Sequence, residues 1–186
     1  PVVLGRHGNS SNATYCLDGY MSNFRIVKGS TVYTPITTGA GLDFGSSNST
    51  ITSTASHSGF DFGTNDFTIE FFYKWSTNSG YQTPLDHQYN LTDAITIQSN
   101  TNTYKWGVFG SGLSLVYESS DATVNVWHHY AVVRNGNTVK MYRDGVETLS
   151  QSHTGTIGGV DPTYFGGAQP QSAHYDKGKI SNFRVV

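Results

Sequence analysis

The chain has 186 residues, a net charge of −2 from 11 basic and 13 acidic side chains, and aromatic residues at 13%. Charged residues also make up only 13%, about half the usual share, and the basic ones are scattered, so there is no electrostatic footprint for nucleic acid. The polar surface is left to Ser, Thr, Asn and Gly, which suit strands and turns better than helices, and no apolar run approaches the ~18 residues of a membrane span.

Cys16 is the only cysteine. No intrachain disulfide and no CxxC motif can form, and the residue is expected to act as a small buried apolar group. The chain opens at Pro1 with neither Met nor a signal segment, and is expected to be a processed or excerpted piece of something longer.

The first organised stretch is an internal echo. Gly19, Tyr20, Met21, Ser22, Asn23, Phe24, Arg25, Ile26 and Val27 return near the end as Gly178, Lys179, Ile180, Ser181, Asn182, Phe183, Arg184, Val185 and Val186. The separation is that of a whole β-sandwich, not of a ~20–50-residue solenoid repeat. One slot in a fold cannot hold two copies of one strand. Residues 1–33 are therefore expected to be the terminal strands of a preceding repeat, with edge strands on this same domain as the alternative. Residues 34–41 read as a linker and residues 42–186 as a complete sandwich. Phe24 and Ile26, with their counterparts Phe183 and Val185, become candidates for inter-repeat or inter-subunit contact.

Leu42 and Phe44 then alternate into a short strand, and Ile51 anchors a Ser/Asn/Thr-rich surface stretch. Phe67, Ile69, Phe71, Tyr73 and Trp75 face one way, and Thr68, Glu70, Phe72 and Lys74 the other. That is a core strand with a half-polar outer face. Residues 77–93 are polar and loop-like. A strand over 94–97, a turn over 100–102, alternating Tyr104, Trp106 and Val108, and then Leu113, Leu115 and Tyr117 follow.

Residues 123–146 carry the strongest pattern. Val124, Asn125, Val126 and Trp127 open a strand in which His129, Ala131 and Val133 share one face and His128, Tyr130 and Val132 the other. The Asn135-Gly136 pair predicts a type I′ hairpin turn, Val139 and Met141 return, and Asp144-Gly145 turns again, completing a meander. Tyr164 and Phe165, a polar loop and a final strand over 180–186 close the chain. With strands throughout and no amphipathic helix, the fold is all-β, a two-sheet antiparallel sandwich.

Particular motifs sharpen this. Phe62, Gly63, Thr64, Asn65, Asp66, Phe67, Thr68, Ile69 and Glu70 resemble the start of laminin-G-like, concanavalin A-like jelly-roll domains. Trp127, His129, Ala131 and Arg134, followed by Tyr142, Asp144 and Gly145, are similar to the core of the same family. Phe165, Gly166 and Gly167 and the closing residues 178–186 resemble its end. Residues 22–34 resemble the version found in tandem in phage fibre and virion surface proteins. The resemblance implies a concanavalin A-like jelly roll and an extracellular or virion-surface location, and is only weakly specific for function.

A glycan hydrolase of this fold would carry an E-x-D-x-x-E strand that sets two carboxylates about 5 Å apart. Glu70, Glu118 and Glu147 are the only glutamates, and none begins that motif. No G-x-S-x-G elbow is present, and His128 and His129, on opposite faces, cannot chelate one ion. The expectation is no enzyme. The resemblance makes calcium at a loop rim possible, with Asp86, Asn90, Asp93, Asp121 and Asp161 as oxygen ligands. Sugar binding wants an aromatic platform beside groups that pair with hydroxyls. Tyr81, Gln82, Asp86, His87, Tyr89 and Asn90 offer one such mixture, and Gln169, His174 and Tyr175 a second. Asn9, Asn12, Asn48 and Asn90 stand in N-x-[ST] sequons, which matter only on a eukaryotic secretory route. The function expected is a non-catalytic adhesion or carbohydrate-binding module of a repetitive virion or cell-surface protein. Its partners would be cell-surface glycans, or neighbouring copies in a homo-oligomer or tandem array. The alternative is a structural decoration or assembly module.

Overall fold

The computed structural model describes residues 42–43, 51–52, 60–77, 80–87, 95–110, 112–158, 163–167 and 176–186. These form β1 (Leu42–Asp43), β2 (Ile51–Thr52), β3 (Phe67–Lys74), β4 (Leu85–His87), β5 (Ile95–Ser99) and β6 (Trp106–Gly110). They continue with β7 (Leu113–Tyr117), β8 (Trp127–Asn135), β9 (Thr138–Arg143), β10 (Val146–Ser152), β11 (Tyr164–Phe165) and β12 (Lys179–Val185), with no α-helix among the described residues. The strands pair antiparallel into two six-stranded sheets. The front sheet runs β1-β12-β3-β8-β9-β10 and the back sheet β2-β11-β4-β5-β6-β7. The chain is thus the expected two-sheet antiparallel jelly-roll sandwich.

Period-two alternation builds the front sheet. Along β3 every second residue is buried, because successive side chains of a strand point to opposite faces and only one face meets the other sheet. Phe67, Ile69, Phe71 and Tyr73 enter the core with Trp75 just beyond. Trp75 stacks on Trp106 of the back sheet at 4.1 Å between ring centroids, and its indole N–H donates to the Tyr130 hydroxyl at 3.0 Å. Phe71 stacks against both Tyr130 and Phe183. Each such fully buried aromatic removes enough apolar area from water to contribute about 2–3 kcal/mol.

Arg134 is a charged member of this interior, 1% exposed. Its guanidinium donates to the carbonyls of Gly136, Gly63 and Gly155 at 2.9–3.0 Å. It thereby clips the β8–β9 turn to the segments before β3 and after β10.

Several local expectations change. The β8–β9 register pairs Asn135 with Thr138, so the central turn residues are Gly136 and Asn137. Only Gly136 takes positive φ (55°), the type II′ signature. The type I′ form occurs at the next turn, where Asp144 (52°) and Gly145 (80°) are both positive. Residues 124–126 form a turn before β8, not its first residues. The polar stretch over residues 77–93, expected to be a loop, contains β4, which lies inside the back sheet between β11 and β5. A register shift in the β6–β7 pair leaves Leu113 buried but Leu115 43% exposed, with Leu115 and Tyr117 packed over Gly107.

Residues 19–27, with Phe24 and Ile26, lie outside the described residues. In their counterpart Gly178, Asn182, Phe183 and Val185 each have a task. A Cβ on Gly178 would sit 2.2 Å from the Tyr73 hydroxyl and 2.8 Å from the Lys74 carbonyl. Asn182 holds φ at 52° within the register shift between β12 and β3. Phe183 and Val185 are 3% and 4% exposed, so their contacts are made within this sandwich's own core.

Candidate functional site

The outer face of the front sheet presents an ordered grid. Lys179, Lys74 and Trp127 are cross-strand neighbours on β12, β3 and β8. The next row holds Ser181, Phe72 and His129. The third holds Arg184, Glu70, Ala131 and Tyr142, ending at Glu147 on β10. Neighbouring strands stand about 4.8 Å apart and rows about 7 Å apart, dimensions that suit a hexose ring on each few positions. Ser181 and Arg184, three residues apart, both face outward because the bulge at Asn182 inserts an extra residue between them. Trp127, Phe72, His129 and Tyr142 are half-buried. Their outer surfaces form an aromatic platform rimmed by polar groups.

The grid is electrostatically tied together. The Arg184 guanidinium lies 2.5 Å from one Glu70 oxygen, and His129 Nε2 lies 3.4 Å from the other. The His129 hydrogen bond and the Arg184 charge outweigh burial and hold the Glu70 carboxyl below its usual range. The His129 ring also packs on Phe72, with centroids 5.0 Å apart. Lys140 pairs with Glu147 at 2.8 Å. Glu70 and Glu147 stand three strand spacings apart, about 14 Å, beyond the ~9.5 Å limit for a paired-carboxylate glycosidase.

A second polar cluster lies where β8 begins. His128 Nδ1 is 2.6 Å from Asp144 Oδ2, and His128 Nε2 faces the Thr123 carbonyl at 3.3 Å. Burial raises the Asp144 carboxyl, but hydrogen bonds from His128 and the His129 backbone N–H more than reverse it. Arg143 donates to the carbonyl and hydroxyl of Ser120 and lies 3.6 Å from the buried Glu118 carboxyl. Burial pushes Glu118 upward despite the Trp106 N–H it accepts. A nucleophilic triad would need His128 Nε2 to face a hydroxyl. Here it faces a backbone carbonyl, and the cluster fastens residues 118–123 to the β9–β10 turn.

The loop residues chosen from sequence fall elsewhere. Gln82, Asp86 and His87 are 0%, 0% and 1% exposed. Asp86 accepts from the Thr96 hydroxyl at 2.7 Å. His87 stacks on Phe60 and bonds Thr163 Oγ1 at 2.8 Å. Gln82 donates to the Thr77 carbonyl and accepts from the Lys177 N–H at 3.4 Å. Tyr81 alone of these is half-buried. Tyr89, Asn90, Asp93, Asp161, Gln169, His174 and Tyr175 lie outside the described residues. Of the calcium candidates, Asp86 is buried and Asp121 accepts from the Tyr104 N–H at 3.1 Å. Among the described residues no group of three or more His, Cys, Asp or Glu comes together to hold a metal. Nor is any helix there long and apolar enough to cross a membrane. The grid depends on strand register between distant segments, and its one local signal in the sequence is the half-polar outer face of β3.

The family model described as the concanavalin A-like lectin/glucanases superfamily matches residues 44–186. No curated protein matches the sequence. Among solved structures the chain is similar to a heptameric SAP-like pentraxin from Limulus polyphemus, at 12% identity and TM-score 0.54 over 68% of this chain and 65% of that one. It is similar to domains LG4-5 of the mouse laminin α1 chain, at 16% and 0.54 over 68% and 36%. It is also similar to the Ruminococcus gnavus IT-sialidase CBM40 bound to α2,3-sialyllactose, at 17% and 0.51 over 68% and 74%. The chain thus spans under two thirds of the pentraxin chain and about a third of the laminin chain, and at these identities the likeness is one of fold.

Proposed function

The chain belongs to the concanavalin A-like lectin/glucanase superfamily, and from that membership we propose that it is a non-catalytic carbohydrate-binding module acting in adhesion at an extracellular or virion surface. The observation that carries this reading is the platform of Trp127, Phe72, His129 and Tyr142 on one solvent-facing sheet, with Glu70 and Arg184 fixed beside it. Aromatic faces pack on the C–H surface of a sugar ring while charged and amide groups pair with its hydroxyls. The three glutamates support a binding role over hydrolysis. Glu118 is inside the fold, and Glu70 and Glu147 are each held by a cation at the surface.

The test is a glycan array with and without calcium, using the parent chain, a Trp127→Ala/Tyr142→Ala variant and a Tyr81→Ala variant. Binding lost only in the double variant supports the sheet face. Binding lost only in Tyr81→Ala returns the site to the loop. Absence of binding by folded protein overturns the reading, and calcium dependence would identify a metal-assisted site.

A second reading, an assembly module in a tandem array or homo-oligomer, is favoured by the echo. Gly19, Asn23, Phe24 and Arg25 repeat the residue types that perform the special tasks of Gly178, Asn182, Phe183 and Arg184 in β12. Burial of the aromatic platform against a neighbouring copy, detected as a concentration-dependent mass in solution, would favour it.

A further inference from the structure

We infer that Asn135 is a latent deamidation site and that Asp66 guards it, by holding the backbone N–H of Gly136 that would attack the Asn135 amide.

Asn135 and Gly136 form the only Asn-Gly pair in the chain. A following glycine favours this chemistry, because it has no Cβ to screen its nitrogen and its backbone turns freely. In the reaction, Gly136 N loses its proton to solvent base and bonds to Cγ of Asn135. The Cγ–Nδ2 bond breaks, and the amide nitrogen takes a proton from water and leaves as ammonia. Water then opens the resulting five-membered imide at either carbonyl, giving aspartate or isoaspartate. The Asn135 side chain meets the first requirement of such a site. It is exposed, and makes no hydrogen bond among the described residues.

The structure acts on the nucleophile. Gly136 N donates to Asp66 Oδ1 at 2.7 Å, across from the start of β3. Removing that proton would forfeit a charge-assisted bond and set an anionic nitrogen against a carboxylate, and a like charge disfavours the ionised form. Attack also needs the peptide plane after Asn135 to swing over Cγ. That motion breaks the bond to Asp66, parts the Asn135–Thr138 pair and draws the Gly136 carbonyl away from Arg134 Nε, which lies 3.0 Å from it. The turn must therefore open before it can react. The next turn is protected from the other side. Asp144, followed by Gly145, has its own carboxyl held by His128 Nδ1 at 2.6 Å and by the His129 N–H at 2.9 Å. One turn restrains the attacking nitrogen and the other the attacked carboxyl. Conversion of Asn135 to isoaspartate would put an extra carbon into the main chain where Arg134 clips the turn, so the Asp66 bond protects that clip as well.

The experiment incubates the whole chain in warm, mildly alkaline buffer and follows Asn135 by peptide mapping with electron-transfer fragmentation, which separates aspartate from isoaspartate. The parent is compared with Asp66→Ala, Asp66→Asn, Ile97→Val and a free peptide of residues 132–138. Ile97 is fully buried in the back sheet, so Ile97→Val lowers global stability without touching the turn. The parent should convert much more slowly than the peptide. Asp66→Ala should convert Asn135 about tenfold faster than the parent, from the loss of one charge-assisted bond, and Ile97→Val less than about twofold faster. Asp66→Asn keeps an acceptor and loses the charge, and its rate should lie between those of the parent and Asp66→Ala. Conversion in the parent as fast as in the peptide overturns the inference, and so does a rate equal to the parent's in both Asp66 variants. Acceleration by Ile97→Val equal to that by Asp66→Ala also overturns it, because global opening and not the Asp66 bond would then set the rate.

Discussion

The Tyr73 hydroxyl donates a hydrogen bond to the Asp176 carboxyl, and both side chains are fully buried between the sheets. Burial raises Asp176 from its ordinary 3.8 to about 6, although the bonds from Tyr73 and the Gly178 N–H pull the other way. Tyr73 is raised in turn, by burial and then by the Asp176 charge. The second Asp176 oxygen is buried with no hydrogen-bond partner. This pair joins the end of β3 to the segment leading into β12, and it should leave a signature in the pH dependence of folding.

For Asp176 the folded state holds the proton more tightly than the unfolded chain does. Its contribution is therefore fullest below about 4 and declines as pH rises through about 6. The change is on the order of 3 kcal/mol. Asp176→Asn keeps an acceptor for Tyr73 and Gly178 while removing the charge. It should be more stable than the parent at pH 7.5 and show a flatter Tm profile between pH 4 and 6.5. Parallel profiles in the two proteins would contradict the raised carboxyl.

Glu70 acts with the opposite sign. Its carboxyl is held low by His129 and Arg184, so its contribution is present above the ordinary carboxylate range and is lost as pH falls through the lowered value. The pair is partly exposed, which limits the Glu70–Arg184 coupling to about 1 kcal/mol or less. A Glu70→Gln, Arg184→Gln double-mutant cycle read by urea unfolding at pH 7 should find that coupling, and the coupling should shrink as the pH is lowered through the depressed Glu70 value.

Arg134→Ala would remove the three charge-assisted hydrogen bonds to the carbonyls of Gly63, Gly136 and Gly155 and the packing of a buried side chain. Water can replace the donors at the exposed Gly136 and Gly155, and the Gly63 carbonyl keeps the Ile157 N–H. Hydrogen bonds to a charged group contribute about 1.5–3 kcal/mol each, so a loss of about 3 kcal/mol or more is expected, and with it a Tm lower by roughly 10 °C. Arg134→Lys should rescue little, because one ammonium cannot span three carbonyls in fork geometry. Thermal unfolding of both variants checks this.

Gly178→Ala would place its methyl within 2.2 Å of the Tyr73 hydroxyl and 2.8 Å of the Lys74 carbonyl. The backbone cannot yield there without parting β12 from β3. The expected cost is about 2 kcal/mol or more, while the same change at Gly136, whose Cβ would meet nothing within 4 Å, should cost less and only through its positive φ. Comparison of the two Tm values distinguishes close approach from turn strain.

What this sequence determined by itself is the strand pattern and the fold. β3 carries strict alternation because one face meets a dense core and the other meets water, and that contrast is written locally in every second residue. The Trp127, His129, Ala131, Arg134 motif was legible for the same reason. The tertiary structure alone decided where the polar residues went. Asp86 and His87 look like loop chemistry, yet β4 is drawn into the back sheet by pairing with Tyr164 and Phe165 far along the chain, which buries them. The outer grid likewise needs the register of five strands, and the bulge at Asn182 sets Arg184 beside Glu70 while Lys179 stands beside Lys74. Those are long-range pairings, and a one-residue slip would send each of these side chains to the opposite face.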